Sequence, residues 1–465
     1  MKYRDVFLDE DNAIELLEKI KNTSGSNEKI KLIASGRDNP SFIEILKLLN
    51  DINLTTGLAM KKIQKPIQVN IDKRRSIPTL GLAISYLTNN PTGRDVQIAY
   101  IQEYLKDYSG RKREVLEEIL TKTYKCGVTA KAINLAVGYN LIDVFSCQLA
   151  HSYEKYEEKV SGKPVYVTRK IDGFRLVTKI YSNNGRVSID FYTRVGLKVK
   201  QLDQVEADIR HLLDQLSIKH DSTFDDLFPH GLVLDGEAVA IGDTDVYKRT
   251  SQIMRKEGKK EGISYKLFDT LTVTEFDSGS SQSVYQARRK DLEIFAEFIQ
   301  ENNLQYIDVL PVLYYGSNQR EIDKILKREI ANGEEGVMLN LANGKYVTTR
   351  TSNLLKMKEF FNADVLVKSV YEGTGKYKGM LGGVVVHFKN EEYDFEVGLG
   401  SGFEDEERKL YWQNPELIIG KIVDVRYFEI SSNKNEGFSL RFPTYKGIRH
   451  DKTIDDINIE GGTNK

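Results

Sequence analysis

The sequence is poor in the residue types and segments that define several large classes of protein. It has only 2 cysteines, Cys126 and Cys147, and no nearby histidine at ligand spacing, which excludes a zinc site built from four thiolates. The charged N-terminus lacks the apolar core of a signal peptide. No apolar run approaches the roughly 18 residues that a membrane span needs. These absences predict a reduced, soluble, cytoplasmic protein with no membrane partner.

An overall charge of one sign is also missing. The 67 lysines and arginines nearly balance the 68 aspartates and glutamates, so the formal net charge is −1. The balance is uneven along the chain, because residues 61–145 hold 14 basic and 8 acidic side chains. A local surplus of this kind is typical of a nucleic-acid-binding surface, although a solvated helix face produces it equally well.

The spacing of apolar residues divides the 465-residue chain into regions. Residues 1–145 predict a helical domain, and residues 146–361 predict an α+β domain with mixed sheets. Residues 362–453 are nearly all strand with one helix at 404–411, which fits a small closed barrel of the OB type. The polar, Gly-rich tail 454–465 is expected to be disordered. The helices of the first domain are predicted at 11–21, 27–33, 42–49, 80–87, 96–107, 114–124 and 130–137. Later in the chain, helices are predicted at 202–216, 286–299 and 318–331, a hairpin turn at Asn183-Asn184-Gly185, and a strand at 422–430.

Two basic segments of the helical region are candidates for binding nucleic acid. One is a loop with six cations. The other is a turn at Gly127 that leads into a helix capped by Thr129, where backbone N–H groups and nearby lysines suit a DNA phosphate. An ordinary helix start explains the second segment as well. The cations are Lys61, Lys62, Lys65, Lys73, Arg74 and Arg75 in the loop, and Lys122, Lys125 and Lys131 near the turn.

The most informative stretch of the sequence is 165–181. β-Branched and aromatic residues flank Asp172-Gly173, which predicts two strands joined as a hairpin by a tight turn. Lys170 lies at the mouth of this turn, next to Asp172 and Arg175. A lysine amine is nucleophilic only when it is neutral, a state that burial and neighbouring cations favour. Taken alone, these residues fit a charged surface turn equally well.

Further polar residues lie at the ends or in the middle of predicted strands. Asp235-Gly236-Glu237 interrupts an apolar strand, and Glu335 opens another. Glu237 and Glu335 have no cation beside them in their own strands, so Mg²⁺, which prefers oxygen ligands, is expected to satisfy both carboxylates. The cations of the set suit a polyphosphate, and an aromatic ring suits a nucleobase. The candidate site comprises Lys170, Asp172, Arg175, Arg194, Glu237, Phe268, Glu335, Lys356 and Lys358.

Together these motifs resemble those of the ATP-dependent DNA ligases of the bacteriophage type, within the covalent lysine nucleotidyltransferase superfamily. They occur in the family's order across residues 148–452, and the helical first third is similar to the N-terminal DNA-binding domain of those ligases. The motifs are Lys170-Ile171-Asp172-Gly173-Phe174-Arg175, Thr193-Arg194-Val195-Gly196, Asp235-Gly236-Glu237, Phe268-Asp269, Glu335-Gly336-Val337-Met338, Leu355-Lys356-Met357-Lys358 and Arg449-His450-Asp451-Lys452.

The resemblance implies a three-step reaction carried out by a monomer on nicked double-stranded DNA. Lys170 would attack ATP to form lysyl-AMP, AMP would pass to the 5′-phosphate of the nick, and the 3′-hydroxyl would displace it. A hinge between Lys358 and Val365 would let the barrel move between steps. The implied contacts are ribose or phosphate for Arg175 and Arg194, ribose or metal for Glu237, Mg²⁺ or Mn²⁺ for Glu335, adenine for Phe268, the α-phosphate for Lys356 and Lys358, and the pyrophosphate for Arg449 and Lys452.

Two positions depart from the family pattern, and three other functions share parts of it. Thr168 stands where the family often has Glu or Gln facing the adenine amino group, and Asn340 stands where a lysine is usual. An mRNA guanylyltransferase, an RNA ligase and an inactive DNA clamp are the alternatives. The helical domain argues against the guanylyltransferase, and the shortage of cysteines argues against the zinc-containing NAD-dependent ligases.

Overall fold

The computed structural model describes residues 3–72, 76–183, 185–242, 246–390, 393–432 and 437–459. Within the chain, residues 1–145 with 195–197 form one compact unit, and residues 146–194 with 198–465 form a second. Three predictions reach residues outside the described ranges: Lys73, Arg74 and Arg75 of the basic loop, Asn184 of a predicted turn, and 460–465 of the tail.

The first unit is helical, as its apolar spacing predicts. Its helices bury their apolar stripes in one core, to which the third helix contributes Phe42 and Ile45. That helix starts where the Asn39 side chain accepts a hydrogen bond from the Phe42 N–H at 3.0 Å. The helices are α1 (Tyr3–Asn22), α2 (Ser26–Ser35), α3 (Pro40–Asn50), α4 (Met60–Ile63), α5 (Leu80–Asn89), α6 (Asp95–Leu105), α7 (Gly110–Leu120) and α8 (Ala130–Val137).

Lys122 has a structural role in this unit. It adopts a left-handed backbone conformation (φ 57°) after α7, which ends the helix earlier than its apolar pattern predicts. Its ammonium group donates hydrogen bonds to the carbonyls of Asp51, at 2.7 Å, and Leu54. Lys122 therefore ties the α7 turn to the end of α3. Lys125 and Lys131 are exposed on either side of Gly127 and have no ion pair within the described part of the chain.

The second unit begins with two large sheets and a small sheet of two strands. Of the two large sheets, the larger has the order β5-β4-β3-β6-β7-β9 and the smaller β1-β13-β11-β2-β10, and the small sheet pairs β12 with β8. The strands are β1 (Leu149–Ser152), β2 (Val165–Arg169), β3 (Phe174–Asn183), β4 (Arg186–Thr193), β5 (Lys198–Val199), β6 (Leu232–Ala240), β7 (Ile263–Leu271), β8 (Ser280–Val284), β9 (Ile307–Val309), β10 (Val312–Gly316), β11 (Val337–Leu341), β12 (Lys345–Val347) and β13 (Arg350–Met357).

Each of the two large sheets is covered by its own helices, so the two sheets have separate hydrophobic cores. The long helices α10 and α14 pack on the larger sheet through residues such as Ile209 and Leu292, and α15 packs on the smaller sheet through Ile322. The predicted helices 202–216, 286–299 and 318–331 correspond to α10, α14 and α15. The helices are α9 (Glu157–Val160), α10 (Asp203–His220), α11 (Phe224–Leu227), α12 (Val246–Arg255), α13 (Val273–Ser278), α14 (Tyr285–Glu301) and α15 (Gln319–Ala331).

The predicted hairpin around Asp172-Gly173 is wrong. β2 and β3 belong to different sheets, so residues 170–173 carry the chain from the smaller sheet to the larger one. Gly173 is needed for close packing, since a Cβ there would lie 2.5 Å from the carbonyl oxygen of Ala238 on β6. The crossing places Lys170 between the two sheets. The hairpin predicted at Gly185 does form, with Asn183 paired to Arg186.

The remaining strands form an OB-like region whose sheet stays open among the described residues. Its order is β16-β15-β14-β17-β20, and its outer strands are joined only by an isolated bridge between Ser401 and Thr444. The strand predicted over 422–430 breaks at Phe428, and its second half pairs in a separate β18-β19 hairpin. The elements are β14 (Phe361–Glu372), β15 (Leu381–Lys389), β16 (Asp394–Leu399), α16 (Asp405–Gln413), β17 (Ile422–Tyr427), β18 (Glu429–Ser432), β19 (Phe438–Arg441), β20 (Thr444–Ile448) and β21 (Asn458–Ile459).

The expectation of disorder after residue 453 is wrong for residues 454–459. Ile454–Asp456 form a 3₁₀ helix, and β21 pairs with β14 through Ile459 and Ala363. Ile457 and Ile459 pack on the OB-like core, which accounts for the order of this polar segment. None of the described helices has the length and apolar character to cross a membrane.

Candidate active site

One cavity of about 340 Å³ lies where the two sheets and the OB-like region meet. Its walls include eight of the side chains that the sequence predicts for the site. They are Lys170, Arg175, Arg194, Glu237, Phe268, Glu335, Lys356 and Lys358.

Lys170 lies at the start of the crossing between the sheets, where its backbone N–H donates to the Gly336 carbonyl at 2.9 Å. Its side chain is 20% exposed and forms an ion pair with Glu335. Burial lowers the pKa of the Lys170 amine, and the positive charge of Arg441 acts in the same direction, whereas Glu237 and Asp172 oppose it. The site therefore favours a neutral, nucleophilic amine more than water does.

Glu335 contacts two lysines. One carboxylate oxygen contacts the Lys170 ammonium and the other contacts Lys358. The inference that Glu335 has no local cation and needs a metal for that reason is thus wrong. Sequence separation concealed these partners, because Glu335 is brought to Lys170 by the pairing of β11 with β2. Burial lowers the pKa of Lys358 to about 7, and the nearby charge of Lys170 contributes to the shift.

Arg175 is held by a buried carboxylate. Its Nε and Nη2 atoms donate to the two oxygens of Asp235, each at 2.6 Å, and Asp235 is 0% exposed. The guanidinium also lies over the Phe268 ring, 4.5 Å from its centroid. One face of Phe268 is therefore covered by a cation. The neighbouring Asp269 forms a second buried ion pair, with Arg288 at 2.7 Å, and supports the fold of this sheet.

Glu237 differs from the other carboxylates of the cavity. It forms no ion pair within 4 Å and no side-chain hydrogen bond with the described residues. Burial raises its pKa to about 7, although Arg175 and Lys170 oppose this shift. A half-buried carboxylate without a direct partner is suited to a cation or a hydroxyl donor brought by a ligand.

The floor of the cavity has polar and apolar positions along three paired strands. Thr168 faces Met338 in the β2–β11 register, and Lys356 faces Met338 from β13. Asn340 lies two residues beyond Met338 and therefore on the same face. Thr168 and Asn340 are 1% and 5% exposed. The two positions that depart from the family pattern thus lie in the cavity.

The cavity also contains cations and an aromatic ring that the sequence reasoning missed. Burial is the main cause of the lowered pKa of Lys356, and repulsion by the nearby charge of Arg350 lowers it further. Arg441 and Phe442, at the end of β19, reach the cavity from the OB-like region. An available signal was the position of Arg441 at the end of a predicted strand, like the other cations of the site.

Arg449 and Lys452 lie outside the cavity. Both donate to Asp364, Arg449 at 3.0 Å, and Arg449 also pairs with Asp451 at 2.8 Å. Neither side chain is among the residues that line the cavity. The structure thus does not bring these two predicted pyrophosphate contacts to Lys170.

Comparison with known proteins places this geometry in a family. Residues 146–358 match the family model described as ATP dependent DNA ligase domain, and residues 372–449 match the DNA ligase OB-like domain. The chain belongs to the ATP-dependent DNA ligases. Members of this family use ATP to form phosphodiester bonds in DNA, and the guanylyltransferase, RNA ligase and clamp alternatives are not favoured.

Relatives of this ligase span nearly the whole chain. A DNA ligase of Methanococcus vannielii is 26% identical over 93% of the chain and 80% of that protein. A DNA ligase of Enterobacteria phage T4 is 22% identical over 95% of the chain and 96% of that protein. Among solved structures, Pmar-Lig_PreS3 matches with a TM-score of 0.71 and 25% identity, covering 94% of this chain and 99% of that one.

Proposed function

We propose that Lys170 of this ligase accepts AMP from ATP and transfers it to the 5′-phosphate of a nick in duplex DNA. The observation that carries the proposal is the position of this lysine between two sheets, in a cavity rich in cations, where burial lowers its pKa. The amine would attack the α-phosphorus, and pyrophosphate would leave. Peptide mapping of the AMP attachment site after incubation with ATP alone tests the assignment.

The cations of the cavity supply the electrostatic part of the mechanism. Lys356, Lys358 and Arg194 would stabilise the charge that develops on the α-phosphate, which is the main contribution of a protein to phosphoryl transfer. Arg350 lies on the same wall and would add to this field. In the second step the same cations would hold the 5′-phosphate of the nick.

The floor would receive the base and ribose. Gly336, whose carbonyl accepts the Lys170 backbone N–H, lies just before β11, and Asn340 lies within that strand, roughly 13 Å further on at the usual rise per residue. A nucleotide attached to Lys170 would therefore extend along β11 towards Asn340. Met338 and Phe268 offer apolar surface to adenine, and Thr168 and Asn340 offer polar groups to its edge.

A divalent cation fits this donor set. Glu237 is half-buried and lacks an ion pair with the described residues, so it would be a ligand together with Glu335 and phosphate oxygens. Mg²⁺ or Mn²⁺ would supply neutralisation of the phosphate charges when bound. In the described part of the chain, His, Cys, Asp and Glu side chains form no cluster of three or more that would hold a metal without substrate.

Substituting Glu335 by Gln should slow lysyl-AMP formation by about ten- to a hundredfold while leaving the protein folded. The change removes the charge that orients Lys170 and Lys358 and weakens the proposed metal site. The rate is measured from labelled ATP at increasing Mg²⁺. Partial recovery at high Mg²⁺ indicates a metal ligand, and no recovery indicates that the lysine contacts dominate.

The matched control is Glu334→Gln, since Glu334 pairs with Arg169 at 2.8 Å instead of Lys170. We expect this variant to form lysyl-AMP at close to the normal rate. A Glu335→Gln protein with full activity at every Mg²⁺ concentration would rule out both proposed roles of Glu335.

Residues 1–145 would bind DNA, residues 146–361 would form the adenylation domain, and residues 362–453 would form an OB domain that completes the site. We further propose a monomer acting on nicked duplex DNA in the cytoplasm, or in the host cytoplasm if a phage encodes the chain. Cys126 and Cys147 are both unpaired, which supports a reducing compartment. Sedimentation of the full chain tests the monomer.

Replacing Lys61, Lys62 and Lys65 by alanine in the full chain should weaken binding to nicked DNA and reduce its salt dependence. These exposed side chains have no ion pair within the described residues, so they are free to bind phosphates. The slope of log K against log salt should become shallower by about 0.9 for each DNA phosphate that the variant no longer neutralises. Lysyl-AMP formation, which needs no DNA, should be unchanged.

The control removes three cations that already have acidic partners. Lys106 pairs with Glu103, Arg111 with Glu18 and Lys112 with Asp11. Their alanine variants should change DNA affinity less than the first set does. Equal effects of the two sets would argue against a DNA-binding role for the 61–65 segment.

A further inference from the structure

Tyr346 lies behind the nucleotide cavity and contacts the carboxylate that holds Arg175. Its hydroxyl group donates to Asp235 Oδ2 at 2.6 Å and accepts a hydrogen bond from the Gln148 backbone N–H at 3.1 Å. Because an N–H can only donate, the hydroxyl proton must be directed at Asp235. Tyr346 is 1% exposed and does not line the cavity.

The hydrogen bonds continue into a closed ring. Arg175 grips Asp235 through Nε and Nη2, and Nη2 also donates to the Gln148 carbonyl at 3.3 Å. The Gln148 side chain in turn accepts the Val347 N–H at 3.0 Å, which fixes it to the strand that carries Tyr346. Arg175, Asp235, Tyr346 and Gln148 thus restrain one another, although they come from four separate stretches of chain.

This ring determines which part of Arg175 remains available. Nε and Nη2 are occupied by Asp235 and Gln148, whereas Nη1 has no hydrogen-bond partner in the described part of the structure. The guanidinium plane is fixed in addition by the Phe268 ring, 4.5 Å away. Arg175 therefore presents a single edge to the cavity in a fixed orientation, which suits a phosphate or ribose oxygen.

We infer that Tyr346 is a positioning residue for nucleotidyl transfer, which acts by holding Asp235 so that Arg175 presents Nη1 to the nucleotide. This inference deepens the proposed function and rests on the proposed role of Arg175 as a nucleotide contact. Tyr346 itself touches neither of the reacting groups. Removing only the Tyr346 hydroxyl breaks the closed ring of hydrogen bonds and leaves the packing of the aromatic side chain unchanged.

Tyr346→Phe should slow lysyl-AMP formation at saturating ATP by about ten- to a hundredfold, the range found when a group that orients an active-site ligand is removed. The variant should remain folded, because the phenyl ring still fills the same space. Single-turnover labelling with ATP, at concentrations that separate the rate constant from the apparent affinity, measures both effects on the full chain.

The matched control is Tyr265→Phe. Tyr265 is also fully buried, and its hydroxyl donates to a backbone carbonyl, that of Leu234 at 2.7 Å, instead of a side-chain carboxylate. Thermal unfolding should report a similar decrease in stability for both variants. Only Tyr346→Phe should slow adenylation, which separates positioning from a general weakening of the core.

The decisive measurement is a double-variant cycle with Arg175→Lys. Lysine cannot make the bidentate contact to Asp235, so this variant removes the group that Tyr346 is inferred to position. Adding Tyr346→Phe to Arg175→Lys should then change the adenylation rate by no more than about twofold. Full multiplication of the two effects, or a normal rate for Tyr346→Phe alone, would overturn the inference. A failure of this kind is distinct from failure of the proposed function, which AMP mapping to Lys170 tests separately.

Discussion

Replacing Lys170 by arginine should leave a folded ligase that takes up no label from α-labelled ATP. Arginine stays protonated at every pH that the protein tolerates, so it preserves the positive charge beside Glu335 and provides no nucleophile. The loss of labelling should be complete, because the other amines of the cavity approach the phosphate from different strands. The measurement is radiolabel retained on the denatured protein.

The control is Lys163→Arg, which changes an exposed lysine shortly before β2. It should accept label at the normal rate. Sealing of DNA that already carries a 5′-adenylate should persist in Lys170→Arg to the extent that Lys170 acts only in the first transfer. Label retained on Lys170→Arg would show that another residue is the nucleophile, and transfer from GTP would indicate capping chemistry.

The chemical site was more accessible to sequence reasoning than the backbone that builds it. The resemblance identified Lys170, Arg175, Glu237 and Phe268, and the structure brings all of them to one cavity. The motif residues are recognisable because each is a charged or aromatic side chain at an unusual place in an apolar strand. The predicted hairpin failed, because Asp172-Gly173 looks the same whether the chain reverses within a sheet or crosses to another.

Contacts between distant segments could not be predicted. In the sequence, nothing distinguishes Tyr346 from an ordinary aromatic residue of the core, and only the fold shows that its hydroxyl reaches Asp235. The same holds for Glu335, whose two lysine partners depend on strand pairing. The open OB-like sheet was also unpredictable, since the break at Phe428 lies within an otherwise continuous strand pattern.

The OB-like region has cations in two different places, and one of these places is the cavity that contains Lys170. Arg441 lines the cavity, whereas Arg449 and Lys452 are held by Asp364. If the latter two assist the departure of pyrophosphate, the region must turn before adenylation. The link available for this motion is short, because β13 ends at Met357 and β14 begins at Phe361. The predicted hinge is thereby narrowed to residues 358–360.

Contacts beside this link would have to change during such a motion. The Lys358 ammonium lies 4.1 Å from the Phe428 ring centroid, and the Arg426 guanidinium lies 3.9 Å from that of Phe360. Arg426 also pairs with Glu154. These are cation–π contacts and a partly exposed ion pair, each weak enough to exchange on the microsecond-to-millisecond scale of domain closure.

The Arg449→Ala/Lys452→Ala variant should form lysyl-AMP about 10²- to 10³-fold more slowly, the range for removal of a group that stabilises developing charge. Sealing of nicked DNA that already carries a 5′-adenylate should fall far less, because no pyrophosphate leaves in that step. Both rates are measured on the same preparation. Lys409→Ala/Lys446→Ala is the matched control, since it removes two exposed cations of the same region.

The comparison of the two steps distinguishes a moving region from a static one. If Arg449 and Lys452 only bind DNA from their observed position, adenylation without DNA should be unaffected and sealing should suffer. If they only stabilise the fold through Asp364, both steps should fall together with the melting temperature. Selective loss of adenylation is expected only if the OB-like region brings these cations to the nucleotide, away from their acidic partners in this structure. A slow first step with an intact last step would therefore identify rotation about residues 358–360 as part of the catalytic cycle.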